Sequence, residues 1–350
     1  MNPLFSSLRR FIKFLKKFSP AHGPSAGRFV GSGSIGWIVY GSQAHLTAGY
    51  RYYCYIPAGI LGGAILVYEK GMDPEAFLDQ HTPDTLILGK AFGDAYVDLA
   101  RAAETRGIPV LATMTDWHFD DPVNRQLCKI ASRVVVQTEM MAAAIRQHFR
   151  LDPIIIEEPY EGPRVPPKFS PNEVVRLLWY GHSSNLDTLG TGIAQIGRTR
   201  GRSFRISIVT ENVEMARQLL DGLPKTHAPI QFEIHPFSLD RQWEELKSCD
   251  AVILPSLPVR EKMVKGHGRL VQAIHSGRLA IAFSLPQYEE LAGYCWCGED
   301  LGDGLAWALD HPSEVVERLV LGQAYIDERF APARIARRWG EEIDHAIGHG

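Results

Sequence analysis

The sequence predicts an α/β protein built from two doubly wound domains. From residue 36 onward, short apolar runs alternate with amphipathic stretches, which is typical of parallel strands covered by helices on both faces. Residues 159–173 interrupt this alternation with five prolines in fifteen positions, and the alternation then restarts. The 350 residues are enough for two domains of about 150 residues each.

The first predicted domain covers residues 28–165. Apolar runs with strand composition are separated by helical patterns such as 94–106 and 139–149. The Gly-rich stretch 58–68 is too short to span a membrane and is interpreted as a turn followed by a buried strand. The predicted strands are 37–40, 64–68, 85–88, 109–113, 133–137 and 154–157.

The second predicted domain covers residues 166–322 and repeats the pattern. A strand that begins the domain is followed by a glycine and a helical pattern, and the later strands follow at similar spacing. The predicted strands are 176–180, 205–209, 231–235, 251–255 and 279–283.

Residues 1–27 precede both domains and are predicted to form a basic amphipathic helix and a linker. Within 4–18, apolar residues recur at helical spacing and five residues are basic, whereas the first acidic residue of the chain is Glu69. Such a helix can lie on the inner, anionic face of a membrane, or it can pack against its own domain or a partner. Both interpretations stay open.

Charge and cysteine content argue against several other classes of protein. A net charge of −3 argues against a general nucleic-acid-binding protein. The five cysteines are sparse and no secretory signal precedes them, so a reducing, cytoplasmic location is expected. Cys295 and Cys297 have no second pair nearby, and we interpret them as partly buried thiols rather than metal ligands.

The motif GSGSIG, residues 31–36, matches the pattern of a dinucleotide-binding loop but has the wrong context. Such a loop must follow a strand and open a helix, so that the pyrophosphate meets the helix N-terminus. Here the motif leads directly into the strand at 37–40. We therefore expect no dinucleotide cofactor, and we expect functional groups in residues 40–53, at the carboxyl end of that strand.

Residues 250–291 carry the strongest functional signal. A buried strand ends at Pro255, and a helix is predicted to start near Lys265 and Arg269 and to stop near Gly277. A helix N-terminus with a glycine and two cations four residues apart suits a diphosphate. The alternative is that the two cations only cap or solvate the helix end.

This segment resembles the donor-binding stretch of GT-B glycosyltransferases, the large group that includes family 4. Their pattern contains K-x-x-x-R/N-L-x-E-A-x-A-x-G, a strand, and then P-x-x-x-E-L. The resemblance extends over roughly residues 36–340 through landmarks at 49–53, 115–121, 132–145, 156–163 and 176–189. The matching positions are Lys265, Arg269, Leu270, Ala273, Gly277, Pro286, Glu290 and Leu291.

The resemblance implies two Rossmann-like domains with a cleft between them and C-terminal helices, residues 323–350, that cross back to the first domain. It implies that Lys265 and Arg269 hold the diphosphate of a nucleotide-sugar donor. Gly181 would let the chain approach that phosphate, and Glu290 would lie near the sugar or the ribose. The donor would be a substrate, and no further cofactor is implied.

Gln272 departs from the family pattern, which has a glutamate that accepts from the ribose hydroxyls at this position. A glutamine offers one acceptor oxygen and no charge. The second acidic position of the family is also missing, because Val264 occupies it. A ribose contact by Gln272 stays open, and so does the loss of activity.

Four other polar residues are candidates, each with a structural alternative. His182 could orient a phosphate or a sugar hydroxyl, or it could have only a structural role in its loop. Asp116 or His118 could be the general base of an inverting enzyme, or these side chains could simply be solvated at the surface. Arg51 could pair with a diphosphate or an anionic acceptor, or stack on the neighbouring tyrosines. No D-x-D pair follows a strand, so no metal is expected.

The predicted function is transfer of a sugar from a nucleoside-diphosphate sugar to a glycan or lipid-linked acceptor, such as a precursor of a surface polysaccharide. Two alternatives stay open. The chain could be a non-catalytic nucleotide-sugar-binding relative that acts in a complex, or it could be a nucleotide-sugar epimerase of the same fold.

Overall fold

The structure is a computed structural model that describes residues 34–118 and 121–348. These residues form two compact units. Unit 1 contains the described residues up to Pro159, the short segment Val264–Gly266 and the described residues from Phe330 onward. Unit 2 contains Tyr160–Met263 and His267–Arg329. The helix and linker predicted over residues 1–27 lie outside the described residues.

Unit 1 is built on a parallel six-stranded sheet in the order β2-β1-β3-β4-β5-β6. Its strands are β1 Ile35–Val39, β2 Ala64–Val67, β3 Thr85–Leu88, β4 Val110–Met114, β5 Arg133–Val136 and β6 Ile154–Ile155. Its helices are α1 Ala48–Tyr50, a π-helical turn Arg51–Tyr55, α2 Ile56–Leu61, α3 Pro74–His81, α4 Asp94–Thr105, α5 Pro122–Ile130 and α6 Glu139–Phe149. A 3₁₀ turn, Ala44–Leu46, precedes α1.

Unit 2 is built on a second parallel six-stranded sheet in the order β12-β11-β10-β7-β8-β9. Its strands are β7 Val174–Tyr180, β8 Ser203–Thr210, β9 Ile230–Pro236, β10 Ala251–Leu254, β11 Leu279–Phe283 and β12 Trp296–Gly298. Its helices are α7 Leu186–Ile196, α8 Val213–Asp221, α9 Leu239–Ser248, α10 Arg260–Met263, α11 Gly268–His275, α12 Leu301–Asp310 and α13 Pro312–Arg329. The 3₁₀ turns are Ser183–Asn185 and Pro286–Leu291.

The last helix, α14 Pro332–Gly348, returns to unit 1. Its Trp339 is fully buried and meets the buried Trp37 of β1 edge to face, with ring centroids 5.8 Å apart. Tyr53 packs against the same indole at 6.3 Å. Aromatic pairs of this kind contribute roughly 0.5–1.5 kcal/mol each beyond the area they bury. The resemblance predicted a helix in 323–350 that crosses back, and α14 is a member of the first unit.

The sequence-based prediction of two parallel sheets is confirmed, and the strand expected directly after GSGSIG is present as β1, which begins at Ile35. One detail of the prediction is wrong. Residues 58–61 belong to α2 rather than to a turn, and β2 is a half-exposed edge strand rather than a buried one. The strand β12 was not predicted, because three residues are too few to show a period.

Local signals place the helix ends. Asp121 accepts a hydrogen bond from the amide of Val123 at the start of α5, and Thr138 accepts from Met141 at the start of α6. The helix α11 stops as predicted, because Gly277 adopts φ of +62° and an added Cβ would collide with the carbonyl oxygens of Val165 and Pro166.

The first residues of unit 2 are tied to α11 by a buried histidine. The rings of Tyr160 and His275 stack with centroids 3.9 Å apart, and Nδ1 of His275 lies 3.7 Å from Oδ1 of Asp327 on α13. Burial lowers the pKa of His275 to about 4, and the nearby Asp327 carboxylate only partly offsets this effect. His275 is therefore neutral in the folded protein at neutral pH.

This histidine should make unit 2 less stable in mild acid. Its folded-state pKa lies below the ordinary value of 6.5, so the unfolded chain takes up a proton first as the pH falls. The free energy of unfolding is therefore not reduced by His275 above pH 6.5, and it decreases as the pH falls from 6.5 towards 4. We expect His275 to lower the free energy of unfolding by about 2 kcal/mol between pH 7 and pH 5.

Urea unfolding followed by tryptophan fluorescence at both pH values measures this loss. The variant His275→Gln should show a smaller decrease, whereas His227→Gln, at an exposed position of the same unit, should behave as the wild type. Equal pH dependence in all three proteins would show that His275 does not cause it.

Candidate functional site

A cluster of two lysines and one aspartate, here called the lysine–aspartate cluster, lies at the carboxyl edge of the unit 1 sheet. Lys90 follows β3 and Asp116 follows β4, and Nζ of Lys90 lies 3.2 Å from Oδ2 of Asp116. Lys265 donates a hydrogen bond to Oδ1 of the same carboxylate. Two of the three, Asp116 and Lys265, were predicted from the sequence, and the structure shows that they contact each other.

The lysines determine the charge state of Asp116. Burial is the largest single influence and would raise the pKa of this carboxyl, but the ammonium groups of Lys265 and Lys90 together outweigh burial and hold the pKa far below its usual range. A carboxylate held so strongly in its ionised form is a weak proton acceptor at neutral pH. The predicted role of Asp116 as a general base stays a prediction that this environment disfavours.

The segment Val264–Gly266 is held in unit 1 by three successive contacts. The buried carbonyl of Val264 accepts hydrogen bonds from Nε2 of Gln137 and Oγ1 of Thr138, each at 3.1 Å. Lys265 is held by Asp116, and a Cβ on Gly266 would collide with the carboxylate of Glu158. The Glu158 carboxylate therefore lies close to the backbone at Gly266, just before α11.

His118 lies in an aromatic neighbourhood. Its ring stacks on Phe92 with centroids 5.4 Å apart, and the Phe92 side chain is 49% exposed. Phe119 and Asp120, the next two residues of the predicted motif, lie outside the described residues. His118 is therefore half-exposed and near the surface, where a ligand can reach it, but the structure does not place it against the lysine–aspartate cluster.

Arg51 is buried rather than exposed to a ligand. Its side chain is 2% exposed, and Nη1 donates to the carbonyl oxygens of His45 at 3.2 Å and Leu46 at 2.9 Å. These bonds hold the 3₁₀ turn before α1. The predicted contact of Arg51 with a diphosphate stays a prediction, and burial of the side chain argues against it.

In unit 2, Gly181 and Arg269 lie next to each other. Gly181 follows β7, and Arg269 is the second residue of α11. A Cβ on Gly181 would lie 3.5 Å from Nη1 of Arg269, and the hydroxyl of Tyr180 donates to the Arg269 carbonyl oxygen at 3.1 Å. Gly181 and the Arg269 side chain are thus neighbours in unit 2, and their predicted contact with a phosphate stays a prediction.

The Arg269 guanidinium is incompletely paired. Its Nη1 atom is buried, and it has no hydrogen-bond partner within the part of the chain that the structure describes. Buried polar atoms almost always have partners, and an unpaired cationic N–H group costs free energy. An anion close to Gly181 would satisfy this donor.

Glu290 lies near the same end of α11 but is already engaged. Its Oε1 lies 2.9 Å from Nε2 of His267, and its Oε2 accepts from the hydroxyl of Tyr325 at 3.2 Å. The hydrogen bond from His267, the first and largest influence, lowers the pKa of Glu290, and the Arg329 charge acts in the same direction. Glu290 is thus an ionised, partly buried group whose predicted sugar or ribose contact stays untested.

Gln272 is 1% exposed and uses both ends of its amide inside unit 2. Its Oε1 accepts from the amide of Glu161 at 3.0 Å, and its Nε2 donates to Oγ of Ser276 at 3.1 Å. The side chain would have to leave these partners before it could contact a ribose. The predicted ribose contact of Gln272 therefore stays a prediction without support from this geometry.

His182 caps the 3₁₀ turn at 183–185. Its Nδ1 accepts from the amide of Ser184 at 3.2 Å, and its Nε2 lies 3.3 Å from Oε1 of Glu211. The Glu211 carboxylate in turn accepts a hydrogen bond from the Ser183 amide at 2.9 Å. His182 and Glu211 therefore satisfy the first two amides of the turn.

Lys90 and Glu158 were missed by the sequence analysis. Lys90 follows the strand β3 by two residues, so the rule that ligands collect at the carboxyl ends of parallel strands would have singled it out. Glu158 follows β6 by three residues and would have been found in the same way. Lys90 matches no motif, and Glu158 lies within the landmark 156–163 without being singled out by it, so the strand ends are the signal that points to both.

The two thiols of the C-x-C pair lie side by side in the structure. Sγ of Cys295 lies 3.4 Å from Sγ of Cys297, and both are free thiols, the first buried and the second half-buried. Within residues 34–118 and 121–348, no three metal-binding side chains cluster closely enough to hold an ion. No helix in these ranges is long and apolar enough to cross a membrane.

Loss of the Asp116 charge should destabilise unit 1. The variant Asp116→Asn leaves two ammonium groups close together without a counter-charge, so we expect it to lower the free energy of unfolding by about 2 kcal/mol. The matched variant Asp79→Asn removes a carboxylate that is 72% exposed and should cost less than about 0.5 kcal/mol.

Chemical denaturation of both variants gives the two values. In the Asp116→Asn background, the further change Lys265→Met should cost less than it does in the wild type, because the repulsion between the lysines is relieved. Strictly additive losses would show that the three side chains do not act as one cluster.

Comparison with known proteins places the fold. No family model and no curated protein matches the sequence. Anabaena Alr3699/HepE, solved with UDP and glucose, is 14% identical and superposes with a TM-score of 0.63 over 89% of this chain and 100% of its own. A glycosyltransferase from Rickettsia africae is 11% identical with a TM-score of 0.65, over 91% of this chain and 99% of its own.

AviGT4, a glycosyltransferase of avilamycin A biosynthesis, is 13% identical with a TM-score of 0.57, and the match covers 91% of this chain and 99% of that one. At such low identities the similarity establishes the fold alone. The chain therefore has the GT-B fold of these glycosyltransferases, as the resemblance in its sequence predicted.

Proposed function

We propose that the chain is a glycosyltransferase that takes a sugar from a nucleoside-diphosphate sugar bound by unit 2. The observation that supports this proposal most directly is the buried, unpaired Nη1 of Arg269 beside Gly181. A guanidinium presents a planar fork of N–H donors that matches two oxygens of a phosphate. The start of α11 adds backbone N–H groups and the positive end of a helix dipole.

The glycine at position 181 fits this role. A side chain there would lie within van der Waals contact of both Trp179 and Arg269, so it would occupy the space that a phosphate needs. Because glycine has no Cβ, the backbone that follows β7 can approach an anion closely. The ligand expected at this place is thus the diphosphate, with the sugar and nucleoside extending from it.

Lys265 is proposed as a second cation for the same diphosphate. In the structure its ammonium group is held by Asp116, so a phosphate would have to compete with this carboxylate. The proposal for Arg269 does not depend on this step, because Arg269 and Gly181 belong to unit 2 and Lys265 belongs to unit 1.

The acceptor is proposed to be a glycan or a lipid-linked sugar bound by unit 1. If the reaction inverts the configuration at the anomeric carbon of the sugar, a general base must remove a proton from the acceptor hydroxyl. His118 suits this role better than Asp116, because two lysines lower the pKa of Asp116 so far that its carboxylate accepts a proton poorly. The basic amphipathic segment 4–18 supports a lipid-linked acceptor and work at the inner membrane surface.

One observation favours a second candidate function. Gln272 lacks the charge of the glutamate found in the resembling family, and each end of its amide already makes a hydrogen bond, to Glu161 and to Ser276. A chain that binds a nucleotide sugar without transferring it would tolerate this arrangement. Release of the nucleoside diphosphate in the presence of an acceptor would indicate a transferase. Conversion of the donor sugar without an acceptor would indicate an epimerase, and binding with neither change would indicate a non-catalytic protein.

Nucleotide binding tests the donor site directly. The structure of HepE contains UDP and glucose, so UDP-glucose is the first of a panel of UDP, GDP, ADP and dTDP sugars to try. A ligand at about 100 times its Kd should add about 2.7 kcal/mol to the free energy of unfolding. We expect one nucleotide class to raise the melting temperature of the wild type and to have little effect on Arg269→Ala.

The matched control is Arg205→Ala, which removes a half-exposed arginine of unit 2 that lies on β8 near Glu233. It should respond to the nucleotide as the wild type does. Lys265→Ala, tested alongside, measures how much Lys265 contributes to nucleotide binding. If Arg269→Ala responds like Arg205→Ala, the donor site does not lie at Arg269, and the proposal loses its main support.

A further inference from the structure

An apolar groove lies at the amino edge of the unit 1 sheet. It encloses about 440 Å³ and runs between β2, the end of α2 and the second half of α14. This volume is within the range of about 300–1,000 Å³ that is usual for pockets that enclose a ligand. Its apolar walls are contributed mainly by Ile35, Leu61, Leu66, Ile343 and Ile347.

The groove is separate from the proposed catalytic chemistry. Its lining residues stand at the starts of β1 and β2 and just before β3, whereas Lys90 and Asp116 stand at the strand ends. In a parallel sheet these are opposite edges. Ile347 is 39% exposed, although it is a large aliphatic side chain, so the groove offers apolar surface to an occupant.

The chain itself enters unit 1 at this groove. Ser34 is one of the lining residues, and its amide donates to Oδ2 of Asp84 at 2.5 Å while its hydroxyl donates to the Thr82 carbonyl oxygen at 2.8 Å. The described part of the chain therefore begins at the mouth of the groove. The fifteen residues 19–33 could span up to about 50 Å, so their length does not prevent residues 4–18 from reaching it.

The segment 4–18 complements the groove in both polarity and charge. It carries apolar residues at helical spacing, including Phe11, and five basic residues. Asp344 lines the groove, Glu341 is exposed one turn earlier on α14, and Asp84 fixes Ser34 beside it. The groove, which is apolar with acidic side chains at its border, therefore complements a helix that has an apolar face flanked by basic residues.

We infer that this groove binds the apolar face of residues 4–18 of the same chain. Attachment through a short linker gives the segment a high effective concentration at the groove, so weak contacts suffice for docking. The face that fills the groove is the face that would enter a membrane surface. Docking and membrane binding therefore exclude each other, and an anionic membrane should draw the segment out of the groove.

Photo-cross-linking of the full chain tests the docking. A benzoylphenylalanine placed at position 11 instead of Phe11 should cross-link within one chain, to residues 61–66 and 340–347, as mapped by mass spectrometry. Cross-links to other surfaces, cross-linked dimers, or no cross-link to the protein would each overturn the inference. Dimers would indicate that a second copy fills the groove.

Two matched variants show whether the groove itself is responsible. Ile347→Arg places a cation on the groove wall at a half-exposed position, so it should abolish the cross-links to 61–66 and 340–347. Leu321→Arg makes the same kind of change at a 62% exposed position of unit 2 and should leave these cross-links unchanged. Equal melting temperatures of the two variants exclude unfolding as the cause.

Vesicle binding supplies the second readout. Sedimentation with phosphatidylglycerol vesicles should recover more Ile347→Arg than wild type, because the groove no longer competes for the segment. Leu321→Arg should match the wild type, and adding vesicles to the wild type should reduce the groove cross-links. Equal vesicle binding by all three proteins would overturn the inference.

Discussion

The carboxylate of Asp116, kept ionised by two ammonium groups, fixes the chain just before the helix α11. Lys90 holds one oxygen of this carboxylate and Lys265 the other. The neighbouring Val264 carbonyl is bound by Gln137 and Thr138, so residues 264–266 are anchored to unit 1. The segment 264–266 is thus held within unit 1 by side chains that are distant from it in the sequence.

The polar side chains around α11 in unit 2 differ in whether their hydrogen bonds are satisfied. Glu290 is bonded to His267 and Tyr325, and Gln272 is bonded to Glu161 and Ser276, so both stabilise the surroundings of α11. Arg269 retains one buried donor without a partner beside Gly181. An anionic ligand beside Gly181 would complete the hydrogen bonding of this guanidinium.

The two edges of the unit 1 sheet differ because all of its strands run the same way. The carboxyl edge collects loops with polar groups such as Lys90 and Asp116, whereas the amino edge has the apolar groove bordered by Asp344. In the proposed arrangement, acceptor chemistry and the contact with the N-terminal segment thus occur at different edges. The segment could move between groove and membrane without obstructing the acceptor.

The sequence by itself determined the two parallel sheets, because strands buried on both faces need continuous apolar runs that local composition reveals. It also determined the end of α11 at Gly277, which needs a backbone conformation that glycine adopts easily. It placed Arg269 and Gly181 in one site only through the family resemblance, and it missed β12, which is three residues long.

Only the tertiary structure decided what the polar side chains contact. Lys265 meets Asp116 across 149 positions of sequence, and Gln272 meets the Glu161 amide across 111. Arg51 looks like a ligand-binding residue in the sequence, yet it is buried against the carbonyl oxygens of His45 and Leu46. Partners and burial come from the packing of distant segments, so no local pattern of residues contains them.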